Sequence, residues 1–163
     1  MAGLVLSDAS PLIALSRVGG LSWLERLFGV VWLPQQVADE VLSGQSLSGE
    51  AEIEAAIAAG WLRVHPSTPT MPELPDLDEG EAACIRIALS EPPPLLLLMD
   101  ERAGRAVARE LGLKVAGTAA VIGMAKTRGL IPSAREVFTR LHAAEFRVAA
   151  EVIKEILRRV GEE

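Results

Sequence analysis

The sequence predicts an α/β protein with a central parallel sheet, because short apolar runs alternate along it with stretches of helical periodicity. The run at residues 95–99 is apolar throughout, which is typical of an interior strand with both faces buried. The length of 163 residues corresponds to about one domain, and no internal repeat divides the chain. We therefore expect a single domain over residues 1–163, with C-terminal helices from about residue 133.

Four or five strands are predicted, each at a short apolar run. Four of the runs are flanked by polar residues, proline or glycine, as strands usually are. A fifth, shorter run precedes a proline-rich segment at 66–76, which holds four of the ten prolines and is predicted to be a surface loop. The predicted strands are 4–6, 30–33, 95–99 and 114–116, with the fifth at 61–65.

The helix starts are indicated by local capping signals. Ser10 followed by Pro11 is typical of an N-cap and a first helical residue. Asp78 followed by Glu81 fits a capping box. Two predicted helices begin at 10–11 and at 117–118. The others span about 34–42, 49–59, 78–90, 102–111, 133–143 and 149–160.

Composition excludes several classes of protein. Half of the residues are hydrophobic and 23% are charged, so the chain is not a disordered tail. A single cysteine excludes a disulfide framework and a multi-thiolate zinc site, and the net charge of −6 excludes a polycation that coats nucleic acid. The N-terminus lacks a basic region, and the longest apolar run is too short to span a membrane. We therefore expect a soluble, cytoplasmic protein that does not enter membranes.

Polar residues follow three of the predicted strands. Asp8 and Ser10 come after the first, Asp100 after the run at 95–99, and Thr118 after the run at 114–116. In an open parallel sheet, ligands bind beyond the carboxyl ends of the strands. These four residues are therefore predicted to share one crevice if their strands are neighbours.

Two glutamates are predicted to point inward from helices. At about 100° per residue, Glu40 borders the apolar face of its helix while Asp39 faces solvent. Glu81 shares a face with Ile85, and Glu79 lies on the other side. Inward carboxylates are unusual unless they are paired or bound to a cation.

Together these positions predict an acidic cluster of Asp8, Glu40, Glu81 and Asp100. Four close carboxylates repel one another, and a hard divalent cation would balance them. Oxygen ligands alone favour Mg²⁺ or Mn²⁺, and such a site can hydrolyse a phosphodiester. Ser10 and Thr118 are candidates to orient a metal-bound water.

The same residues resemble the PIN-domain nucleases. The likeness lies in the order of Asp8 after a strand, Glu40 in a PxxVxxEV segment, Glu81 in LDEGEAACIRIA and Asp100 after LLLLM. The segments SDASPLIAL, LDEGEA, LLLLMDERAGR and VAGT are similar to one largely uncharacterised prokaryotic branch, related to the VapC toxins of toxin–antitoxin pairs.

The resemblance implies a three-layer α/β/α sandwich around a parallel sheet of four to five strands. It also implies a Mg²⁺- or Mn²⁺-dependent nuclease, usually an endoribonuclease, with Asp8, Glu40, Glu81 and Asp100 as its acidic ligands. Ser10 and Thr118 match hydroxyls near the site of such enzymes. A homodimer and a small antitoxin partner are further implications. Because Glu101 follows Asp100, either residue could be the fourth acid.

Each residue also has a purely structural explanation. Asp8 could merely occupy a helix N-terminus, where negative charge is favoured. Glu81 could merely complete the capping box, and Glu40 could pair with an arginine. Asp100 could cap the helix that follows it, and Thr118 could be an N-cap.

Arginines follow Asp100 on the next predicted helix. Arg102, Arg105 and Arg109 lie near one face of it, where they could contact RNA phosphates or form a solvated surface. A non-catalytic PIN-fold module that binds RNA or protein therefore remains the alternative to an enzyme. A phosphotransfer domain with Asp8 as nucleophile ranks last, since that class usually has a second aspartate at the position of Ser10.

Overall fold

The computed structural model describes residues 3–44 and 49–163. Within them, five strands form one sheet in the order β3-β2-β1-β4-β5, and every neighbouring pair is parallel. The apolar runs therefore build the sheet that the sequence predicts. The strands are β1 (Leu4–Ser7), β2 (Val31–Leu33), β3 (Leu62–Val64), β4 (Leu95–Leu98) and β5 (Lys114–Ala116).

Nine helices form in the described residues and cover the sheet. Helices α5 and α6 contact each other and strands β1, β4 and β5, whereas α7 contacts both α1 and α2. This arrangement is the three-layer α/β/α architecture. The helices are α1 (Ala9–Arg17), α2 (Ser22–Phe28), α3 (Gln35–Val41), α4 (Glu50–Ala59), α5 (Glu79–Ser90), α6 (Arg102–Glu110), α7 (Thr118–Thr127), α8 (Ala134–Ala143) and α9 (Ala150–Arg159).

The core lies on both sides of strands β1 and β4. Leu6 and Leu97 are register partners on these strands, and both are fully buried. Each such side chain contributes about 1.5–3 kcal/mol of hydrophobic stabilisation when it leaves water. The central strands are therefore held rigidly, and so are the residues at their carboxyl ends.

Two predictions about the first helices are wrong. Helix α1 begins at Ala9 with Asp8 as the N-cap, so Ser10 is not the cap and Pro11 is not the first helical residue. Helix α2 was not predicted from the sequence. It has only seven residues and is anchored by the buried side chains of Trp23 and Leu24, so tertiary packing stabilises it more than local propensity does.

The capping box at the start of α5 is confirmed. The Asp78 carboxylate accepts a hydrogen bond from the Glu81 backbone N–H at 2.8 Å, and Glu81 Oε1 accepts one from the Asp78 N–H at 3.2 Å. As predicted, residues 66–76 form neither helix nor strand, and in the structure this irregular segment extends over 65–78. In the part of the chain described here, no helix is both long and apolar enough to cross a bilayer.

Candidate active site

Asp8 lies directly beyond the central strand β1. Its backbone N–H donates to the carbonyl of Leu98 at 2.9 Å, so the pairing of β1 with β4 fixes its position. Its residue surface is only 5% exposed, and no arginine, lysine or histidine within residues 3–44 and 49–163 forms an ion pair with it. Burial is the largest cause that raises the pKa of Asp8, and with the nearby charges of Asp78, Glu81 and Glu40, and against the Ala9 backbone N–H, which lowers it, the pKa becomes about 7.

The structural explanation of Asp8 as a simple helix cap does not account for its side chain. Asp8 occupies the N-cap position of α1, but its side chain makes no cap hydrogen bond, and the Ala9 backbone N–H is the one group of that helix that lowers its pKa. A carboxylate that is buried without a capping role or a cationic partner is destabilising unless it is protonated or binds a cation.

Glu81 uses its two carboxylate oxygens differently. Oε1 completes the capping box, whereas Oε2 is buried and has no hydrogen-bond partner among the described atoms. The residue as a whole is 5% exposed, and burial is the main cause that raises its pKa. The capping box therefore accounts for Oε1, whereas Oε2 could serve as a ligand of a cation.

Glu40 lies at the mouth of this site. It is exposed, so the prediction that it points into the core is not met. Glu40 lies in the last turn of the seven-residue helix α3, whose buried residues are Val37, Ala38 and Val41. Partial burial and the charge of Asp78 nevertheless raise its pKa, and no arginine pairs with it in the described structure.

Two glycines on α5 and α6 leave room for these carboxylates. A methyl group added at Gly80 would lie 3.1 Å from Asp8 Oδ1 and 3.4 Å from Glu40 Oε1. A methyl group at Gly104 would lie 2.9 Å from Glu81 Oε2. Neither glycine has a positive φ, so space around the carboxylates, and not backbone conformation, explains them.

Asp100 faces a different partner. Its Oδ1 accepts a hydrogen bond from the Thr118 backbone N–H at 2.8 Å, and its Oδ2 accepts one from the Thr118 hydroxyl at 2.7 Å. Asp100 therefore anchors the start of α7, and Glu101, not Asp100, is the N-cap of α6. Burial raises the pKa of Asp100, while the bonds from Thr118 and the charge of Arg105 lower it.

Thr118 and Ser10 differ in what they can still bind. Thr118 is fully buried and donates its only hydroxyl proton to Asp100, so it positions that carboxylate. It is not the N-cap of α7, since Gly117 occupies that position. Ser10 lines a cleft together with Asp100 and Glu101 and is half-buried there.

The four predicted acids thus fall into two neighbouring sets. The charges of Glu40 and Glu81 raise the pKa of Asp8, and the charge of Asp78, which sequence reasoning treated only as a helix cap, raises the pKa of all three acids. Asp100 is engaged by Thr118 and Arg105, whereas Glu101 raises the pKa of Glu81. The signal for Asp78 was its capping contact with Glu81, which places the two carboxylates together.

Comparison with known families identifies the fold. The model of the DUF3368 family, described as a PIN domain, matches residues 4–162. The chain belongs to the PIN-domain family. A search of curated proteins found no match. The PIN fold is a nuclease-type fold, and the matched segment of this PIN domain includes Asp8, Glu40, Glu81 and Asp100.

The carboxylate oxygens of this PIN domain are the kind of ligand that a hard divalent cation prefers, but few of them lie close together. No group of three or more histidine, cysteine, aspartate or glutamate side chains in the described ranges is arranged to hold a metal ion. Mg²⁺, however, usually takes one or two carboxylates and completes its shell with water. The unpartnered Oε2 of Glu81 and the unpaired carboxylate of Asp8 fit that requirement.

Proposed function

We propose that this PIN domain is a metal-dependent endoribonuclease that hydrolyses RNA phosphodiester bonds with Mg²⁺ or Mn²⁺. The observation that carries the proposal is the buried Oε2 of Glu81, which has no hydrogen-bond partner among residues 3–44 and 49–163, near the carboxylate of Asp8, which has no ion pair within the same ranges. A protein that buries two acids without cationic partners loses stability, and a bound cation would offset that loss.

Each acid has a distinct part in the proposed site. Asp8 and Glu81 would hold the ion, because their oxygens are buried and are not satisfied by cationic side chains. Such an ion lowers the pKa of a water molecule and stabilises a leaving oxygen. Glu40 is exposed at the mouth, where its carboxylate can accept a proton from an attacking water. Asp100, held by Thr118, would fix the other wall of the site, and Ser10 would orient water beside it.

The proposal includes the partners that the resemblance implies. RNA is the proposed substrate, with Arg102 and Arg105 at its phosphates. We further propose cytoplasmic action, a homodimer and a small antitoxin protein, in the manner of VapC-type toxins. Arg105 already donates to the carbonyl of Met99 at 2.9 Å, so part of its binding capacity is used within the protein.

One observation favours the non-catalytic alternative. Among the described residues, the acids do not gather three ligands around one point, and both oxygens of Asp100 accept hydrogen bonds from Thr118. A PIN-fold module that binds RNA or a protein without cleaving it would be consistent with this geometry.

A cleavage assay separates the two functions. Labelled RNA and single-stranded DNA are incubated with wild type in Mg²⁺, Mn²⁺ or EDTA, beside Asp8→Asn and Glu81→Gln. Glu81→Gln is informative because glutamine retains the capping acceptor while it removes the charge. The matched control is Glu79→Gln, two residues away on the same helix and exposed to solvent.

We expect metal-dependent RNA cleavage that falls by at least about 100-fold in both site variants and is unchanged in Glu79→Gln. Cleavage that persists in EDTA, or that survives both substitutions, would contradict the enzyme. RNA binding without any cleavage in either metal would establish the binding module instead.

A further inference from the structure

A cleft lined with arginines opens beside Asp100. Its volume is about 670 Å³, and its lining includes Ser10 and Asp100, which also belong to the proposed active site. Helix α6 contributes Arg102, Arg105 and Arg109 to one wall, and Arg147, from the segment between α8 and α9, also lines it. The cleft is therefore continuous with the proposed active site and is bounded partly by residues that are remote in sequence.

The charge of the cleft is opposite to that of the chain. Four arginines line it against two acids, Asp100 and Glu101, whereas the protein carries a net charge of −6. Like charges repel, so four guanidinium groups around one cleft disfavour the unliganded state and favour an anionic occupant.

Three of these arginines have no partner in the described part of the protein. Arg102, Arg109 and Arg147 are exposed, and none forms an ion pair or a side-chain hydrogen bond within residues 3–44 and 49–163. On α9, by contrast, Arg158 and Arg159 both bind Glu155. The donors of the cleft arginines are thus available to a ligand.

The remaining lining is apolar. Phe146, Val148, Val152 and Ile156 line the cleft, and Val152 is 43% exposed although it is a large hydrophobic residue. Phosphate groups alone would gain nothing from this surface. A ligand that offers a chain of phosphates and also planar apolar faces matches both parts, and unpaired nucleobases are such faces. A duplex would keep its bases stacked inside and present only the phosphates.

We propose that the segment between α8 and α9 positions the RNA strand of the proposed function, with Arg147 at its phosphates beside Arg109 and Arg102, and Phe146 on the side of the cleft that faces its bases. The proposal deepens the proposed function and rests on it for the identity of the strand as RNA. It assigns to Arg147 a substrate-positioning role that lies outside the acidic cluster and outside α6.

The test measures binding in EDTA, where no cleavage is expected. Fluorescence anisotropy of a labelled 12-nucleotide single-stranded RNA is recorded at several salt concentrations for wild type, Arg147→Gln and Arg109→Gln. Arg26→Gln is the matched control, since Arg26 is exposed, lies outside the cleft and likewise forms no ion pair in the described ranges. All three variants change the net charge equally, so a general charge effect cancels.

We expect each cleft variant to bind the RNA about five- to tenfold more weakly, and the slope of log affinity against log salt to decrease by about 0.7 per lost contact. Arg26→Gln should bind as wild type does. A duplex of the same sequence should bind more weakly than the single strand. Cleft variants that bind like Arg26→Gln, a wild type that does not bind at all, or a duplex that binds equally well would each overturn the proposal.

Failure of this proposal is distinguishable from failure of the nuclease. If wild type cleaves RNA in Mg²⁺ while the arginine variants bind normally, the nuclease stands and the cleft assignment falls. If the arginine variants lose binding while wild type never cleaves, the cleft stands and the nuclease falls. Melting temperatures equal to wild type would show that the exposed substitutions leave the fold intact.

Discussion

The substitution Asp8→Asn should stabilise the metal-free protein above neutral pH. Asp8 is 5% exposed and lacks a cationic partner in the described structure, so its ionised form is costly. Asparagine has nearly the same shape but cannot ionise. Asp8, which the proposed nuclease requires for metal binding, would thus lower the stability of the metal-free protein.

The size of the effect follows from the pKa of Asp8. Burial raises it from 3.8 to about 7, so between these values the folded state binds a proton that the unfolded chain has released. Stability therefore falls as pH rises through this window, and it is highest below the unfolded pKa. At 1.36 kcal/mol per pKa unit, the raised pKa of Asp8 lowers the free energy of unfolding by about 4 kcal/mol at pH 8 and by close to nothing at pH 4.

Urea denaturation in EDTA at about pH 4.5 and about pH 8 measures this difference. The free energy of unfolding of Asp8→Asn relative to wild type should grow by about 3–4 kcal/mol between the two pH values. The control is Asp76→Asn, at an exposed position in the 65–78 loop. Mg²⁺ at about 100 times its dissociation constant should then restore about 2.7 kcal/mol to wild type and nothing to Asp8→Asn. An equal effect of Asp8→Asn at both pH values would refute the reasoning.

Three further substitutions test the surroundings of the site. Gly104→Ala would place a methyl group 2.9 Å from Glu81 Oε2 and 2.5 Å from Met99 Sδ, so it should destabilise by about 1–3 kcal/mol in thermal denaturation and weaken Mn²⁺ binding in calorimetric titration. Thr118→Val removes the 2.7 Å hydrogen bond to Asp100 and should cost about 1–2 kcal/mol in urea denaturation; an unchanged midpoint would contradict the positioning role. Asp78→Ala removes the cap of α5 and should lower the free energy of unfolding by about 1 kcal/mol at pH 5. The loss should be smaller at pH 8, because the charge of Asp78 also raises the pKa of Asp8 and its removal makes ionised Asp8 less costly. A greater loss at pH 8 would contradict this.

Elements with local signals could be predicted from the sequence. The strands follow apolar runs, and the start of α5 follows from the spacing of Asp78 and Glu81. These signals depend on neighbouring residues alone. Helix α2 lacks them, because its seven residues are stabilised by the burial of Trp23 and Leu24 against the rest of the fold.

The sequence predicted that Asp100 and Thr118 share a crevice only if their strands are neighbours, and the residues next to Asp100 do not show whether they are. Its position before α6 suggested a cap for that helix, yet it binds Thr118, which is 18 residues away. The two meet because β4 pairs with β5, as in the hydrogen bond from Met99 N–H to the Ala116 carbonyl at 2.9 Å. Sheet order decides this contact, and a local pattern does not contain it.

Glu81 shows that a structural and a functional explanation can both hold. The sequence presented capping and cation binding as alternatives, but in the structure Oε1 alone completes the capping box, and Oε2 has no hydrogen-bond partner among the described atoms. Arg147 was overlooked for the opposite reason. It lies between helices with no motif around it, and only the folded chain brings it to the cleft with Arg109.

The most direct measurement of the central claim is an anomalous difference map from a crystal soaked in Mn²⁺. The account predicts one strong peak about 2.1 Å from a carboxylate oxygen of Asp8 and within coordinating reach of Glu81 Oε2. A map without a peak there, at a concentration that supports cleavage, would contradict it.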